Sequence, residues 1–205
     1  MKEIKARITL TDEMLGSLPA NTEVYSDFIA SNAPDAPTRQ EEIEASSVQE
    51  VDEKGMTIFL KDEQGHPYIW NYQVKGFFKE AFKMLRNVKE TACSKVTNYL
   101  KKIDGLVFVF DRKIPLLNED GTQVEKSQIG ICQRPLRGQT AQGERIALAS
   151  SETVPAGVYF DCRIKLLDDS LEKAIREALD YGELKGLLQW RNSGKGTFTW
   201  KELED

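Results

Sequence analysis

The alternation of apolar and polar residues predicts where the strands of this chain lie. Residues 3–10 alternate strictly, which is the period of a strand with one buried face. Residues 56–61 read as a second short strand, and residues 106–110, LVFVF, are typical of a central strand buried on both faces. Strand patterns return at residues 144–149 and 157–166.

Helical periodicity occupies three stretches between these strands. From Lys75 to about Val88, apolar residues recur every three or four positions. A second helical stretch is predicted over residues 91–102. Ser170 is the predicted N-cap of a third helix, and Gly182 is its predicted C-terminal stop.

Two long segments without a regular pattern interrupt these elements, and two short strands are predicted after the last helix. Residues 11–55 combine prolines with many acids, which predicts a long loop or insertion with a short helix near Thr38–Ala45. Residues 117–143 are polar and glycine-rich and predict a loop or an extended hairpin. The final strands are expected near residues 184–190 and 196–200. Without the insertions, the order predicts one α+β domain over all 205 residues, with an antiparallel sheet and a ferredoxin-like βαββαβ core.

Composition and charge narrow the class of protein. No apolar run approaches the ~20 residues that cross a bilayer, and the N-terminus lacks a secretory signal, so a cytoplasmic protein without membrane contact is predicted. The net charge of −5 argues against nucleic acid coating the whole surface. Basic side chains nevertheless outnumber acidic ones in residues 67–143, and this predicts a local anion-binding surface.

Catalytic and metal-binding patterns are missing from the sequence. The three cysteines, Cys93, Cys132 and Cys162, are too far apart for a zinc pair, and His66 is the only histidine. The sequence contains no GxSxG, Walker or HExxH motif. We therefore predict no metal, no cofactor and binding rather than catalysis.

Three segments have residue types that bind a polynucleotide. The first, called here the glycine-rich segment, is Gly186–Phe198, GLLQWRNSGKGTF, in which backbone N–H groups can approach a phosphate beside cations. Its candidate RNA-binding residues are Arg191, Asn192, Ser193, Gly194, Lys195 and Gly196. Trp190 would pack in the core or stack on a base. A plain β-hairpin with a glycine bulge is the alternative.

The second segment, Pro67–Arg86, leads into the first predicted helix. Lys75 and Gly76 would open that helix, whose N-terminus attracts anions, and Lys79 and Arg86 would extend a basic face. The alternative is an amphipathic helix with a solvated cationic side. We expect this helix start and the glycine-rich segment to lie side by side and to hold one polynucleotide strand.

The third segment, Ile131–Arg145, carries Arg134 and Arg137 in a stretch free of acidic residues until Glu144. A flexible polar and basic loop suits a nucleic-acid backbone. A solvated loop without a ligand is the alternative.

These motifs, in this order, resemble the RAMP superfamily, and most of all the RNA-binding backbone subunits of type III CRISPR effector complexes. Ile8–Ser17, ITLTDEMLGS, is similar to the family's strand that ends in Leu-Gly. Lys61–Gly76, KDEQGHPYIWNYQVKG, is similar to the family's segment that leads into a helix, with Asn71-Tyr72-Gln73 in place of Gly-Ser-Ser. The glycine-rich segment is similar to the family's loop of that kind.

The resemblance implies a ferredoxin-like fold and sequence-tolerant binding of single-stranded RNA along its backbone. It implies that Lys75 and Gly76 help to hold RNA, and that the loop with Arg134 and Arg137 takes the part of the family's thumb. The implied partners are single-stranded RNA, CRISPR effector subunits and further copies of the chain assembled along RNA.

A non-catalytic RNA-binding protein is the leading hypothesis, and two others stay open. One is an anti-CRISPR, a viral or mobile-element protein that mimics or blocks a CRISPR subunit through its acidic residues 33–55. The other is a metal-dependent endoribonuclease. Members of the family that cut target RNA have an aspartate in the loop after Leu-Gly, and Asp27 and Asp35 are the candidates in that interval.

Overall fold

The computed structural model describes residues 1–20, 56–140 and 143–204, and the side chains of residues 136–148 lie outside that description. Most of the predicted 11–55 insertion, with its helix near Thr38–Ala45, also falls outside the described residues. In chain order the described strands are β1 (Lys2–Leu10), β2 (Met14–Leu15), β3 (Leu18–Pro19), β4 (Met56–Ile58), β5 (Leu60–Lys61), β6 (Pro67–Trp70), β7 (Val107–Phe110), β8 (Lys113–Pro115), β9 (Gly130–Thr140), β10 (Gly143–Val154), β11 (Tyr159–Leu166) and β12 (Phe198–Glu202). The described helices are α1 (Asn71–Leu85), α2 (Tyr99–Leu106) and α3 (Glu172–Asp180), with 3-10 turns at Cys93–Lys95, Lys126–Gln128, Asp169–Leu171, Tyr181–Glu183 and Arg191–Ser193.

A four-stranded antiparallel sheet, in the order β12–β1–β11–β7, forms the centre of the fold. β1 lies between the two later strands, with Ile8 opposite Phe160 of β11 and Trp200 of β12. The alternation predicted for residues 3–10 is confirmed, because every second side chain from Ile4 to Leu10 is at most 2% exposed. These apolar side chains belong to the same core as the helices, so the intervening polar ones form the opposite face of the sheet.

Helices α1 and α3 cover one face of this central sheet. The buried stripe of α1 includes Phe78 and Phe82, and that of α3 includes Ile175 and Leu179, all fully buried in one core with β1, β7 and β11. Burying a side chain as large as phenylalanine contributes about 1.5–3 kcal/mol. The stripes therefore fix α1 and α3 against the sheet.

Helix α1 begins four residues before the predicted start at Lys75. The side chain of Gln73 explains the earlier start, because it accepts the Trp70 backbone N–H at 2.8 Å and donates to the Ser17 hydroxyl at 2.8 Å. Lys75 and Gly76 therefore lie in the second turn, and the prediction that they open the helix is wrong. The attraction of a helix N-terminus for anions fades within the first turn and does not reach them.

Two further sheets, one of five strands and one of three, extend the structure beyond the central one. β10 pairs with β9 in a long antiparallel hairpin, with β2 in the antiparallel sense and with β4 in the parallel sense, while β3 pairs with β4. The order β5–β6–β8 forms the third sheet. The extended hairpin predicted as one alternative for residues 117–143 is confirmed from Gly130 onward.

The LVFVF run is an edge strand, so the prediction of a central strand buried on both faces is wrong. β7 pairs with β11 at the end of the central sheet. Val107 and Val109 face the core, whereas Phe108 and Phe110 are 39% and 41% exposed. A continuous apolar run has the same sequence pattern in both situations, which is why the pattern failed here.

Two predictions near the C-terminus are also wrong. Residues 184–190 form no strand, since Leu188 and Trp190 have positive φ angles of 60° and 53°, which a strand excludes. Ser170 is not a helix N-cap. Its backbone N–H is accepted by the Asp168 side chain at 3.0 Å, which caps the 3-10 turn that precedes α3.

A buried ion pair joins the second and third sheets. The Glu152 carboxylate of β10 accepts the Lys61 ammonium at 2.7 and 2.9 Å and the Phe59 backbone N–H at 3.0 Å. The two charged side chains are only 15% and 10% exposed. Glu152 thus satisfies both a cation and a backbone donor at the break between β4 and β5.

The three cysteines differ in environment, and this predicts their reactivity. Burial raises the pKa of both Cys93 and Cys162 to about 12, because it disfavours the thiolate, whereas Cys132 on β9 is only half-buried. We expect Ellman's reagent at neutral pH to modify one thiol rapidly in the folded protein and three after denaturation. Mass mapping should place the fast thiol at Cys132, and rapid modification at Cys93 or Cys162 would contradict the described packing.

Candidate nucleic-acid interface

The glycine-rich segment folds into a closed loop in which two stretches of backbone touch. The Leu187 N–H donates to the Gly196 carbonyl at 2.8 Å, and the Gly196 N–H donates to the Glu13 carbonyl at 2.8 Å. A Cβ atom at Gly186 would overlap the backbone of Lys195 and Gly196. The predicted β-hairpin alternative is therefore replaced by a loop that is held against the turn between β1 and β2.

The Lys195 ammonium is neutralised inside this loop. It lies 3.0 Å from Asp12 and 2.9 Å from Glu13, both in the turn after β1. Hydrogen bonds to Glu13 and Asp12 raise the pKa of Lys195, and the hydrogen bond from Lys195 lowers the pKa of Asp12. Lys195 therefore contributes more to closing the loop than to the charge that a ligand would meet.

The glycine-rich segment also contacts helix α1 through Glu80. Arg191 pairs with this carboxylate at 2.6 Å, and Lys185, just before the segment, pairs with it at 3.2 Å. Lys185 donates to the Asn192 side chain at 3.0 Å as well. Gly76 is exposed and lies one helical turn before Glu80 on the same face of α1.

The other predicted cations of α1 contact a different part of the molecule. Lys75 donates to the Asp104 carbonyl at 2.9 Å, and Lys79 pairs with the Asp104 carboxylate at 2.6 Å. Burial lowers the pKa of Lys75, whose ammonium lies 5.2 Å from the Phe108 ring centre. Arg86 lies over a tyrosine ring of α2, at 5.4 Å. Lys75 and Lys79 thus contact α2, whereas Gly76 lies on the α1 face that carries Glu80.

Arg134 connects the β9–β10 hairpin to the same place. Its guanidinium donates to the Gln189 side chain at 3.0 Å and stacks on the Trp190 ring at 4.7 Å. Its Nε and Nη1 atoms are buried without a hydrogen-bond partner among the described residues. A guanidinium with two unmet donors is suited to an anionic acceptor such as phosphate. The side chain of Arg137 lies outside the described residues.

Backbone strain marks the part of the loop that Arg134 contacts. Leu188 and Trp190 are both non-glycine residues with positive φ, a conformation that costs about 1–3 kcal/mol and clusters at functional sites. Trp190 is 38% exposed, and Asn192 and Ser193 are also exposed. The loop therefore presents one aromatic face and two neutral polar side chains to solvent.

Sequence reasoning missed the acceptors that assemble this surface. Glu80 and Gln189 were not among the candidates, because a charge pair between residues 80 and 191 leaves no local pattern in the sequence. Asp27 and Asp35, the candidate catalytic carboxylates, lie outside the described residues. His66 contacts Asp62 at 3.2 Å in a turn, and no cluster suited to a metal ion occurs among the described residues.

The comparisons with known proteins give a fold and no family. No protein-family model matches the chain, and no curated protein matches it. The fold is of the α+β class with antiparallel sheets, and it is similar to solved structures. One similar chain belongs to the cryo-EM structure of the type III-B Cmr-beta bound to cognate target RNA, at a TM-score of 0.51 and 12% identity. The match covers 98% of the present chain but only 59% of the Cmr-beta chain. None of the described helices is long and apolar enough to span a membrane.

Proposed function

We propose that this chain is a single-stranded RNA-binding protein of the RAMP type that holds RNA without cutting it. Its core would be ferredoxin-like, since β1–α1–β7 and β11–α3–β12 each place a helix between two strands of the central sheet. The likeness to a Cmr-beta chain in a structure bound to target RNA supports the same fold. The proposed partners are single-stranded RNA, CRISPR effector subunits and further copies of the chain along that RNA.

One observation carries this proposal: three segments with RNA-binding character, far apart in sequence, meet at one surface. Glu80 of α1 pairs with Arg191 at 2.6 Å, and Arg134 of β9 stacks on Trp190 at 4.7 Å. The glycine-rich segment is therefore contacted by α1 on one side and by the β9–β10 hairpin on the other. An extended polymer that follows the glycine-rich segment would therefore meet residues of all three segments.

The chemistry of this surface fits an RNA backbone with few charge contacts. The Arg134 guanidinium would turn its buried, unmet donors outward to bind a phosphate, and the exposed ring of Trp190 would stack on a base. A phosphate would also compete with Glu80 for Arg191. With about two phosphates neutralised, log K should fall with log salt at a slope of only about −1.4. We expect binding without sequence preference and with this shallow salt dependence.

Gly76 allows a sharp test of the proposed surface. It is exposed in the middle of α1, and a Cβ atom added there would have no atom within 4 Å, so protein packing does not require glycine. Glycine costs a helix about 1 kcal/mol relative to a good helix former such as leucine. We expect Gly76→Leu to raise the free energy of unfolding by roughly this amount while weakening RNA binding about tenfold, because the side chain blocks the approach of the backbone.

The matched control is Gly105→Leu in α2. Gly105 is also an exposed helical glycine with no atom within 4 Å of a Cβ, but it lies outside the proposed surface. We expect it to leave RNA affinity unchanged in a fluorescence anisotropy titration with single-stranded RNA of mixed sequence. Equal affinity for Gly76→Leu and Gly105→Leu would exclude α1 from the binding surface. Absence of RNA binding by the unmodified protein at low salt would refute the function.

The neutralised cations favour a second candidate, an interaction protein that blocks a CRISPR complex. Lys79, Arg191 and Lys195 each pair with a carboxylate. The surface therefore has fewer unpaired cations than the number of basic residues in the sequence predicts. A protein of this kind would bind an effector subunit and leave RNA unbound. Pull-down of purified effector subunits with and without ribonuclease treatment separates the two, because only direct protein contact survives loss of RNA.

A further inference from the structure

The face of the central sheet that the helices do not cover presents a regular array of side chains. On β1 the apolar residues face the helices, so Lys5 and Arg7 stand on the opposite, open face. The register places Arg163 of β11 beside Lys5, and Lys165 of β11 on the next row. Lys201 of β12 is paired with Arg7 in the same register. Three neighbouring strands thus place side chains in rows on one open face.

Two phenylalanines complete these rows at the edge of the sheet. Phe110 of β7 pairs in register with Arg163, and Phe108 pairs with Lys165. Their rings are 41% and 39% exposed, and the Arg163 guanidinium lies 5.5 Å from the Phe110 ring centre. Large apolar side chains at these edge positions gain little from burial, so the fold itself does not explain them.

The cations of this open face outnumber its acids around the two rings. The face carries Lys5, Arg7, Arg163, Lys165 and Lys201 against Glu3, Asp111 and Asp161, while Glu202 and Glu204 lie near Lys5 at the β12 edge, away from the rings. Asp161 is held by Arg7 through two hydrogen bonds of 2.8 Å. Asp111 pairs with Arg163 at 3.3 Å, in a contact that is about half exposed and therefore weak. The net charge of the chain is −5.

We infer that this open face is a second binding surface for single-stranded nucleic acid. Exposed aromatic rings that stack on bases, flanked by cations that follow the backbone, are the features that bind single strands on an open antiparallel sheet. A docked protein fits less well, because the centre of a protein interface is depleted of lysine, whereas this face surrounds its two rings with cations. Phe108 and Phe110 bind bases here, and Lys5, Arg163 and Lys165 contact phosphates.

This surface is independent of the one proposed above. Phe108 lies at the sheet edge, where the Lys75 ammonium of α1 is 5.2 Å from its ring centre. Phe110 lies against Arg163 on the open face, and the glycine-rich segment contacts Glu80 of α1 on the opposite side of the sheet, so a short oligonucleotide on one surface does not reach the other. The inference goes beyond the proposed function and does not require it. One molecule of the protein should therefore hold two short strands at once, and a longer RNA should pass around the edge strand β7.

The test counts bound oligonucleotides in native mass spectrometry and measures their affinity by anisotropy. The probe is an oligouridylate of about six nucleotides, within the 4–16 that one such site covers. The variant is Phe108→Thr with Phe110→Thr, which keeps good strand formers at exposed positions. We expect the unmodified protein to bind two probes. The threonine variant should bind one, because its affinity at the open face falls about tenfold. The variant with Phe108→Tyr and Phe110→Tyr should again bind two probes.

Each other outcome decides between the two surfaces. If the threonine variant still binds two probes, or if the unmodified protein binds only one that Gly76→Leu removes, the inference is overturned while the proposed function stands. If the threonine variant loses a probe and Gly76→Leu loses none, the open face binds and the first surface does not. If the unmodified protein dimerises and the threonine variant does not, with probe binding unchanged, the face is a protein interface and the inference is overturned.

Discussion

Replacing Gly186 with alanine should destabilise the protein by about 3 kcal/mol or more, the upper range for overpacking. The added Cβ would overlap the backbone of Lys195 and Gly196, which rotation of a side chain cannot relieve. The two stretches would have to separate and break the hydrogen bond between Leu187 and Gly196. Urea unfolding followed by circular dichroism measures the loss as a lower midpoint with an unchanged slope.

Gly194→Ala is the matched control for this substitution. Gly194 belongs to the same loop and has a φ of 81°, but no atom lies within 4 Å of a Cβ there. Alanine at this position meets only the penalty of the left-handed conformation, about 1–2 kcal/mol. If Gly186→Ala were no more destabilising than Gly194→Ala, the close approach of the two backbone stretches would not exist in solution.

Removing the carboxylate of Glu152 should cause the second largest loss of stability. Glu152→Ala leaves the Lys61 ammonium without its partner at 10% exposure and leaves the Phe59 N–H without an acceptor. Breaking a buried ion pair by removing one partner costs about 3–5 kcal/mol. Since both groups keep slight contact with water, we expect about 3 kcal/mol, at the lower end.

A graded series separates the charge from the hydrogen bond at this position. Glu152→Gln keeps an oxygen that can accept the Phe59 N–H and loses only the charge, so its loss should fall between those of alanine and the native residue. The control is Glu183→Ala at an exposed position, where substitutions stay within about 0.5 kcal/mol. Equal midpoints for Glu152→Ala and Glu183→Ala in urea would contradict the buried pair.

The sequence predicted the periodic elements well and the irregular ones poorly. The alternation in β1 and the apolar stripe of α1 predicted a strand and a helix, because burial on one face imposes a period on neighbouring residues. The run at β7 was misread, since an apolar pattern does not reveal whether the second face is covered. The conformation at Leu188 was also hidden, because a positive φ at a non-glycine residue leaves no signature in composition.

The sequence named several residues of the candidate site but not the tertiary contacts between them. Arg134 and Arg191 were named from local composition, and both lie at the surface where the three segments meet. Their partners Gln189 and Glu80 were not found. Lys75 contacts Asp104 instead, because its side chain leaves the helix toward α2. Which carboxylate neutralises which cation depends on tertiary contacts that single-sequence patterns do not contain.

The position of β1 between β11 and β12 has a consequence for how the chain folds. The contact between Arg7 and Asp161 spans 154 residues, and that between Thr11 and Thr197 spans 186. Such distant pairings make loop closure slow relative to local helix formation. On the ribosome, the first strand to emerge must wait for the last one before its hydrogen bonds are complete. Its apolar side stays a target for chaperones until synthesis has passed β12.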